Sequence, residues 1–254
     1  MSDSVVAAQL YTLRDFLRTP AEIRASLEKV SSMGYEAVQL SALGPIEPAA
    51  LKEITDGLGL HIIATHIDFD RICAEPQAVI EDHQIWQCKN VAVGSMPESY
   101  RDREGFARFA REASAAAAPL IEAGLTFSYH NHSFEFERID HRTGMDILFE
   151  ESDPKRFFAE LDTYWIQHGG ANPVTWIRKL AGRMSVVHLK DMAMSGREQR
   201  FAEVGEGNLE WEPILAACRE AEIEWYIVEQ DTCPGDPFDS LEKSLQNLRS
   251  MGLN

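Results

Sequence analysis

The chain reads as a (β/α)8 barrel of the α/β class, and three observations lead there. Short apolar runs alternate with longer stretches of helical periodicity. The alternation occurs eight times in 254 residues, about 30 residues per unit, the length of a strand with its return helix. The last three apolar runs each end in a side chain able to bind a cation: Asp162, His188 and Glu229. That suits a fold whose active sites lie at the C-terminal ends of its strands.

The first strand is the run 5–10. Thr19-Pro20-Ala21-Glu22 then opens a helix, with Thr19 as N-cap, Pro20 in the first turn and Glu22 closing a capping box. Ile23, Leu27 and Val30 form its apolar stripe, and Gly34 is its C-cap. Strand two is 35–40, and its helix, 47–58, is closed by Gly59. Strand three is 61–67, with a helix at 75–86. Strand four, 91–94, is very short. The Ala-rich stretch 101–123 predicts one long helix, ended by Gly124 and kinked near Pro119. Strands five to eight follow at 125–130, 157–161, 184–189 and 225–229. Their helices are 144–151, 173–180, 209–221 and 238–251. Strands separated by helices pair in parallel, and eight such units close. The stretch 192–207 reads as irregular and polar, a candidate substrate loop. No linker or low-complexity segment interrupts the pattern, so residues 1–254 are expected to form one domain.

The composition narrows the partners. Hydrophobic residues make up 44% of the chain, enough for a large core. A net charge of -17 argues against nucleic acid, whose phosphates want Lys and Arg. No run approaches ~18 apolar residues, so no membrane span is expected. Cys73, Cys88, Cys218 and Cys233 lack CxxC spacing and read as reduced thiols. Residues 1–4 show no basic, then apolar, leader. The expectation is a cytoplasmic protein with a small-molecule partner. The sequence leaves a homo-oligomer open.

The polar residues at the strand ends carry the candidate chemistry. His188 and Lys190 are two apart and share a face of strand seven, with Val186 deeper on it. Glu229 follows Ile227, and Asp162 follows Glu160, with the same parity. His130 and His132 share a face at strand five, in the dense stretch Phe127 to Glu137. Glu135 is the nearest acid that could complete a cluster there, and Glu137 could substitute. His66 ends strand three and is a substrate-contact candidate; Gln9, Tyr11, Gln39 and Asp68 sit at other strand ends. Trp165 could stack on a substrate ring, and His168 lies just beyond. His61 opens its strand at the opposite rim, and His83 and His141 read as solvated. Asp, Glu and His ligands without Cys favour Mn²⁺, Mg²⁺, Co²⁺ or Zn²⁺ without choosing among them. Such a site could hold vicinal oxygens of a hydroxy-ketone and stabilise an enediolate. A carboxylate on each side would move the proton, and Lys190 would neutralise developing charge. No dinucleotide or Walker motif is present, and Val204-Gly205-Glu206-Gly207 reads as a turn.

The runs Tyr129-His130-Asn131-His132, Glu160-Leu161-Asp162-Thr163-Tyr164-Trp165, His188-Leu189-Lys190-Asp191-Met192, Val204-Gly205-Glu206-Gly207 and Tyr226-Ile227-Val228-Glu229-Gln230-Asp231 together resemble the sugar phosphate isomerase/epimerase family. That family lies in the xylose isomerase-like barrel superfamily. The resemblance spans essentially the whole chain and implies one divalent metal held by Glu, Asp, His and Glu. Carried onto this chain, the last three are Asp162, His188 and Glu229. The first is Glu135, or His130 in its place. The resemblance also implies that the first and last Glu, Glu135 and Glu229, are the acid/base pair; His66, His130, His132, Trp165 and Lys190 are read from their places at the strand ends as substrate contacts. The expected activity is isomerisation or epimerisation of a sugar or sugar derivative. If His130 is the ligand, a lyase or dehydratase using one base becomes the alternative. A barrel that binds sugar without catalysis is the other. The sequence contains no phosphate cradle.

Overall fold

The computed structural model describes residues 5–253; the expectation of no leader falls on residues 1–4, outside that range. Eight parallel strands close a barrel: β1 (Val5–Gln9), β2 (Ala37–Leu40), β3 (His61–His66), β4 (Asn90–Val93), β5 (Thr126–His130), β6 (Phe158–Asp162), β7 (Val186–Leu189) and β8 (Trp225–Val228). They are hydrogen-bonded in chain order, and β8 closes on β1. Pairing of Ala7 with both Ala37 and Ile227 is the closing seam.

Eleven helices cover the barrel among the described residues: α1 (Pro20–Ser32), α2 (Pro48–Gly57), α3 (Phe69–Ala74), α4 (Pro76–Trp86), α5 (Gly105–Ala116), α6 (Ala118–Glu122), α7 (Gly144–Glu151), α8 (Thr163–His168), α9 (Pro173–Lys179), α10 (Trp211–Glu220) and α11 (Pro237–Ser250). The capping box at Thr19 and Glu22 is formed in full. Gly34, past the end of α1, has φ +97, a conformation open to glycine at little cost.

Two cores result. The larger lies between strands and helices. The smaller fills the barrel and is built from Ala7, Ala37, Ala64, Ile63, Val186 and Ile227. Its alanines are short, and above them the interior holds large polar side chains: Gln9, Gln39, Glu160 and His188 are all fully buried. One irregularity sets what faces inward. The β2–β3 register slips between Val38 and Gln39, opposite Ile62 and Ala64, so Ile63 has no partner. Beyond this bulge Ala64 and His66 turn into the barrel.

Several segments depart from the sequence reading. The stretch 101–123 is two helices broken at Ala117, because Pro119 has no N–H for the carbonyl one turn back. The stretch 192–207 is not irregular. Its first part forms an antiparallel hairpin, Asp191–Ser195 with Glu198–Ala202. Helices α3 and α8, each of six residues, sit where loops were expected. His83 is buried, not solvated, with Nε2 2.8 Å from Thr65 Oγ1. The four cysteines are unpaired. No helix of the described residues is long and apolar enough to cross a membrane.

Candidate active site at the barrel mouth

The last residues of β5 to β8 converge. His130 and Asp162 end β5 and β6, His188 lies in β7, and Glu229 follows β8 directly. One side-chain donor atom from each lies within 4.8 Å of all the others, and all four residues are buried. His130 Nε2 is 3.3 Å from Asp162 Oδ2 and 3.9 Å from Glu229 Oε2. His188 Nδ1 is 3.0 Å from Glu229 Oε2.

Neighbours fix each of these groups. Asp162 uses Oδ1 to cap α8, accepting the Trp165 N–H at 2.9 Å, which leaves Oδ2 for the cluster. Its own N–H donates to Asn131 Oδ1. The other nitrogen of His188, Nε2, donates to Gln39 Oε1 at 2.6 Å and is 3.1 Å from Glu160 Oε1. A metal-binding imidazole is commonly oriented by such a partner on its second nitrogen. Glu160 also accepts both contacts of the Gln39 amide, and it lies 2.6 Å from His66 Nε2. Strand parity alone carries Glu160, since it lies two residues below Asp162 on the same face.

Lys190 is wholly buried beside the cluster. Its Nζ lies 3.1 Å from Asp162, 2.7 Å from Glu229 and 2.7 Å from Asp231. It therefore balances carboxylates and is not among the residues lining the cavity. Burial alone would raise the carboxyls of Asp162 and Glu229; Lys190 and the histidines beside them more than reverse this and hold both below the ordinary range. Burial would lower His188, but Glu160 and Glu229 push it up to about 10. Burial, with His130 and Lys190 nearby, pushes His132 down to about 3, so its imidazole is neutral near pH 7.

Glu135 stands apart. The strand ends at His130, and the chain turns back so that Glu135 lies in a short 3-10 turn, Phe134–Phe136. There it accepts the Tyr129 hydroxyl at 2.5 Å and the His132 N–H at 2.9 Å. Tyr129 packs in the outer core against Phe109 and Phe157, so Glu135 faces the helices and not the barrel axis. His130 is the side chain beside Asp162, His188 and Glu229. Glu137 is exposed at the outer end of the same turn.

A cavity of about 850 Å³ opens over the cluster, lined on its polar side by His66, His130, His132, Glu229 and Asp231. Trp165 does not line it; the indole lies 5.1 Å from the His132 ring and 5.5 Å from Lys190 Nζ. His168 stacks on Tyr164, away from the cavity.

The four clustered donors, two imidazole nitrogens and two carboxylate oxygens, fit a divalent cation of the Mn²⁺ to Zn²⁺ range. Charge supports the fit. Glu160, Asp162, Glu229 and Asp231 face the single ammonium of Lys190 and the His188 ring, which leaves negative charge to be balanced.

A sequence model described as xylose isomerase-like TIM barrel matches residues 27–251. The chain belongs to the xylose isomerase-like TIM barrel family. Within it, an inosose dehydratase of Geobacillus thermodenitrificans is 30% identical over 146 residues, 50% of this chain and 48% of that protein. The chain thus matches about half the length of this curated relative. A sugar phosphate isomerase/epimerase from Parabacteroides distasonis shares the barrel at TM-score 0.82 and 22% identity, covering 98% of this chain and 99% of that one. A probable 3-DHS dehydratase from Bacillus anthracis shares it at TM-score 0.72 and 12% identity, covering 96% and 98%. This xylose isomerase-like barrel therefore has both epimerase-type and dehydratase-type neighbours.

Proposed function

We propose that this protein is a metal-dependent lyase that removes water from a polyhydroxylated ketone, a keto-sugar or keto-inositol. The observation that carries the reading is the position of the carboxylates. Of the four clustered side chains, Glu229 is the carboxylate that also lines the cavity, while Glu135 faces the outer core. Among the clustered side chains this leaves one carboxylate base facing the cavity, which suits elimination better than a two-base inversion.

His130, Asp162, His188 and Glu229 would hold the cation. When bound, it would polarise the substrate carbonyl and favour loss of the adjacent proton. Glu229, ionised and 5% exposed, takes the proton from the carbon next to the carbonyl. The electron pair of that C–H bond forms the new C=C bond as the C–O bond to the neighbouring hydroxyl breaks. Glu229 returns the proton to the departing hydroxyl, which leaves as water. His132, neutral and with an unpartnered Nδ1, orients a substrate hydroxyl. Asp162, held by its cap on α8 and absent from the cavity lining, stays out of the proton transfer. The relationship to the inosose dehydratase supports this reading.

Epimerisation is the second reading, and His132 favours it. This neutral imidazole faces the same cavity and could serve a second face of the carbon. Incubating the Mn²⁺-loaded protein with keto-inositols and 3-keto sugars in D2O separates the two. Dehydration gives an ultraviolet-absorbing unsaturated ketone; epimerisation gives deuterium exchange at the carbon without absorbance. Glu229→Gln should abolish turnover by more than it weakens substrate binding, and an active Glu229→Gln enzyme would sink the assignment.

A further inference from the structure

The cavity extends well past the clustered histidines and carboxylates. At about 850 Å³ it matches sites that enclose drug-sized molecules, more than one sugar ring fills. Its second lobe runs outward between α2 and α4 and is lined by Leu43, Ile46, Leu51 and Trp86. The Trp86 indole N–H donates to the Pro48 carbonyl at 3.2 Å, so the ring is pinned between the two helices with its polar edge satisfied. An anchored, half-buried aromatic ring offers a rigid face to a planar group.

The lobe wall is built rather than loose. In the loop between β2 and α2, the Gly44 N–H donates to the Leu17 carbonyl at 2.7 Å. A Cβ on Gly44 would meet the Arg18 carbonyl oxygen at 2.2 Å, so the loop sits tight on the backbone behind it. Ala42 in the same loop has φ +54, a conformation unfavourable for a side-chain-bearing residue. The loop is thus held in a defined shape around the lobe.

The lobe offers no free positive charge, and the unpaired carboxylate on its lining, Asp68, would repel a phosphate. Arg71 is the one Lys or Arg among the lining residues, and its guanidinium is taken by Asp82 at 2.7 Å, with Glu75 at 3.9 Å. A phosphate would have to break that pair. An apolar group would not.

We propose that this lobe is a second subsite for an apolar, planar substituent. On this account, which rests on the keto-polyol reading above, the substrate is a conjugate such as an aryl glycoside of a keto-sugar, not a free or phosphorylated sugar. The polar end binds the sugar-like head, and Trp86, Leu43 and Ile46 cover the substituent.

Calorimetric titration of the full-length, Mn²⁺-loaded protein tests this with three probes: 3-keto-glucose, its 6-phosphate and its phenyl glycoside. The phenyl glycoside is expected to bind at least tenfold tighter than the free sugar. In Leu43→Trp, which fills the lobe, and in Trp86→Leu, which removes the planar face, that ratio should fall below about threefold. The ratio is internal to each variant, so a general loss of stability does not mimic the result. Equal binding of phenyl glycoside and free sugar, tightest binding by the phosphate, or an unchanged ratio in both variants would overturn the subsite while the keto-polyol reading stands. If none of the three probes binds the wild type, both readings fall.

Discussion

Lys190→Met isolates the charge balance of the site. The substitution keeps a flexible chain of similar length and deletes the ammonium. In the wild type that ammonium touches Asp162, Glu229 and Asp231 at 3.1, 2.7 and 2.7 Å with no solvent exposure. At an effective dielectric of about 20, a contact at that range is worth roughly 6 kcal/mol before desolvation is counted. Removing one partner of a buried ion pair typically leaves a net cost of about 3–5 kcal/mol, because the remaining charges stay buried. For a chain of this size that corresponds to a Tm lower by roughly 6–20 °C in metal-free buffer. A divalent cation held by the cluster would supply positive charge to the same carboxylates, so Mn²⁺ should raise the Tm of the variant more than that of the wild type. Differential scanning calorimetry of both proteins, with chelator and then with excess Mn²⁺, checks this. Equal Tm values without metal, or equal shifts on adding it, would refute the role of Lys190 as counter-ion to the cluster.

Three further outcomes are expected. His130→Ala should weaken Mn²⁺ binding at least tenfold by calorimetric titration, whereas Glu135→Gln should stay within about twofold, since only His130 stands in the cluster. Glu135 should tune stability with pH. Burial raises its carboxyl from 4.5 to about 7, against the Tyr129 hydroxyl and the His132 N–H. The folded protein then holds this proton more tightly than the unfolded chain. Its contribution is full below about pH 4.5 and is lost as pH rises to about 7, by up to about 3 kcal/mol. Urea unfolding across that range should show the decline in the wild type and flatten it in Glu135→Gln. Finally, Gly207→Ala should cost about 1–3 kcal/mol, because its Cβ would meet Asp191 Oδ1 at 2.3 Å. That carboxylate accepts the N–H groups of Gly205, Gly207 and Leu209 and the Trp211 indole, and chemical denaturation reads the loss.

Periodicity and parity carried much of this architecture. Eight apolar runs, separated by stretches of helical period, were enough to anticipate the closed parallel barrel. Two-residue spacing placed Asp162, His188 and Glu229 on inward faces, and the structure brings their donor atoms together. Glu135 was not legible in the same way. Nearness along the chain to the end of β5 suggested nearness to the axis, but the turn after His130 leads back to the outer face of Tyr129. Glu160 carried a signal, its parity with Asp162, yet its partners Gln39 and His66 come from the far side of the barrel, which local spacing does not reveal. The hairpin after β7 escaped for a related reason: its two short strands stabilise each other and not the barrel, and their mixed polarity shows neither period clearly.

The slip at Ile63 has a consequence beyond geometry. Every residue of β3 after that point owes its orientation to one residue being left out of the ladder. Were the ladder unbroken with the same residues, Ile63 would take the place opposite Gln39, and His66 would be sent outward among the helices with its neighbour presented to the axis. The link from Glu160 to the third strand would vanish with no change to any residue in the site. This wall of the mouth is therefore set by a backbone irregularity and not by a side chain, and a chain that keeps every polar residue can still lose the arrangement they form.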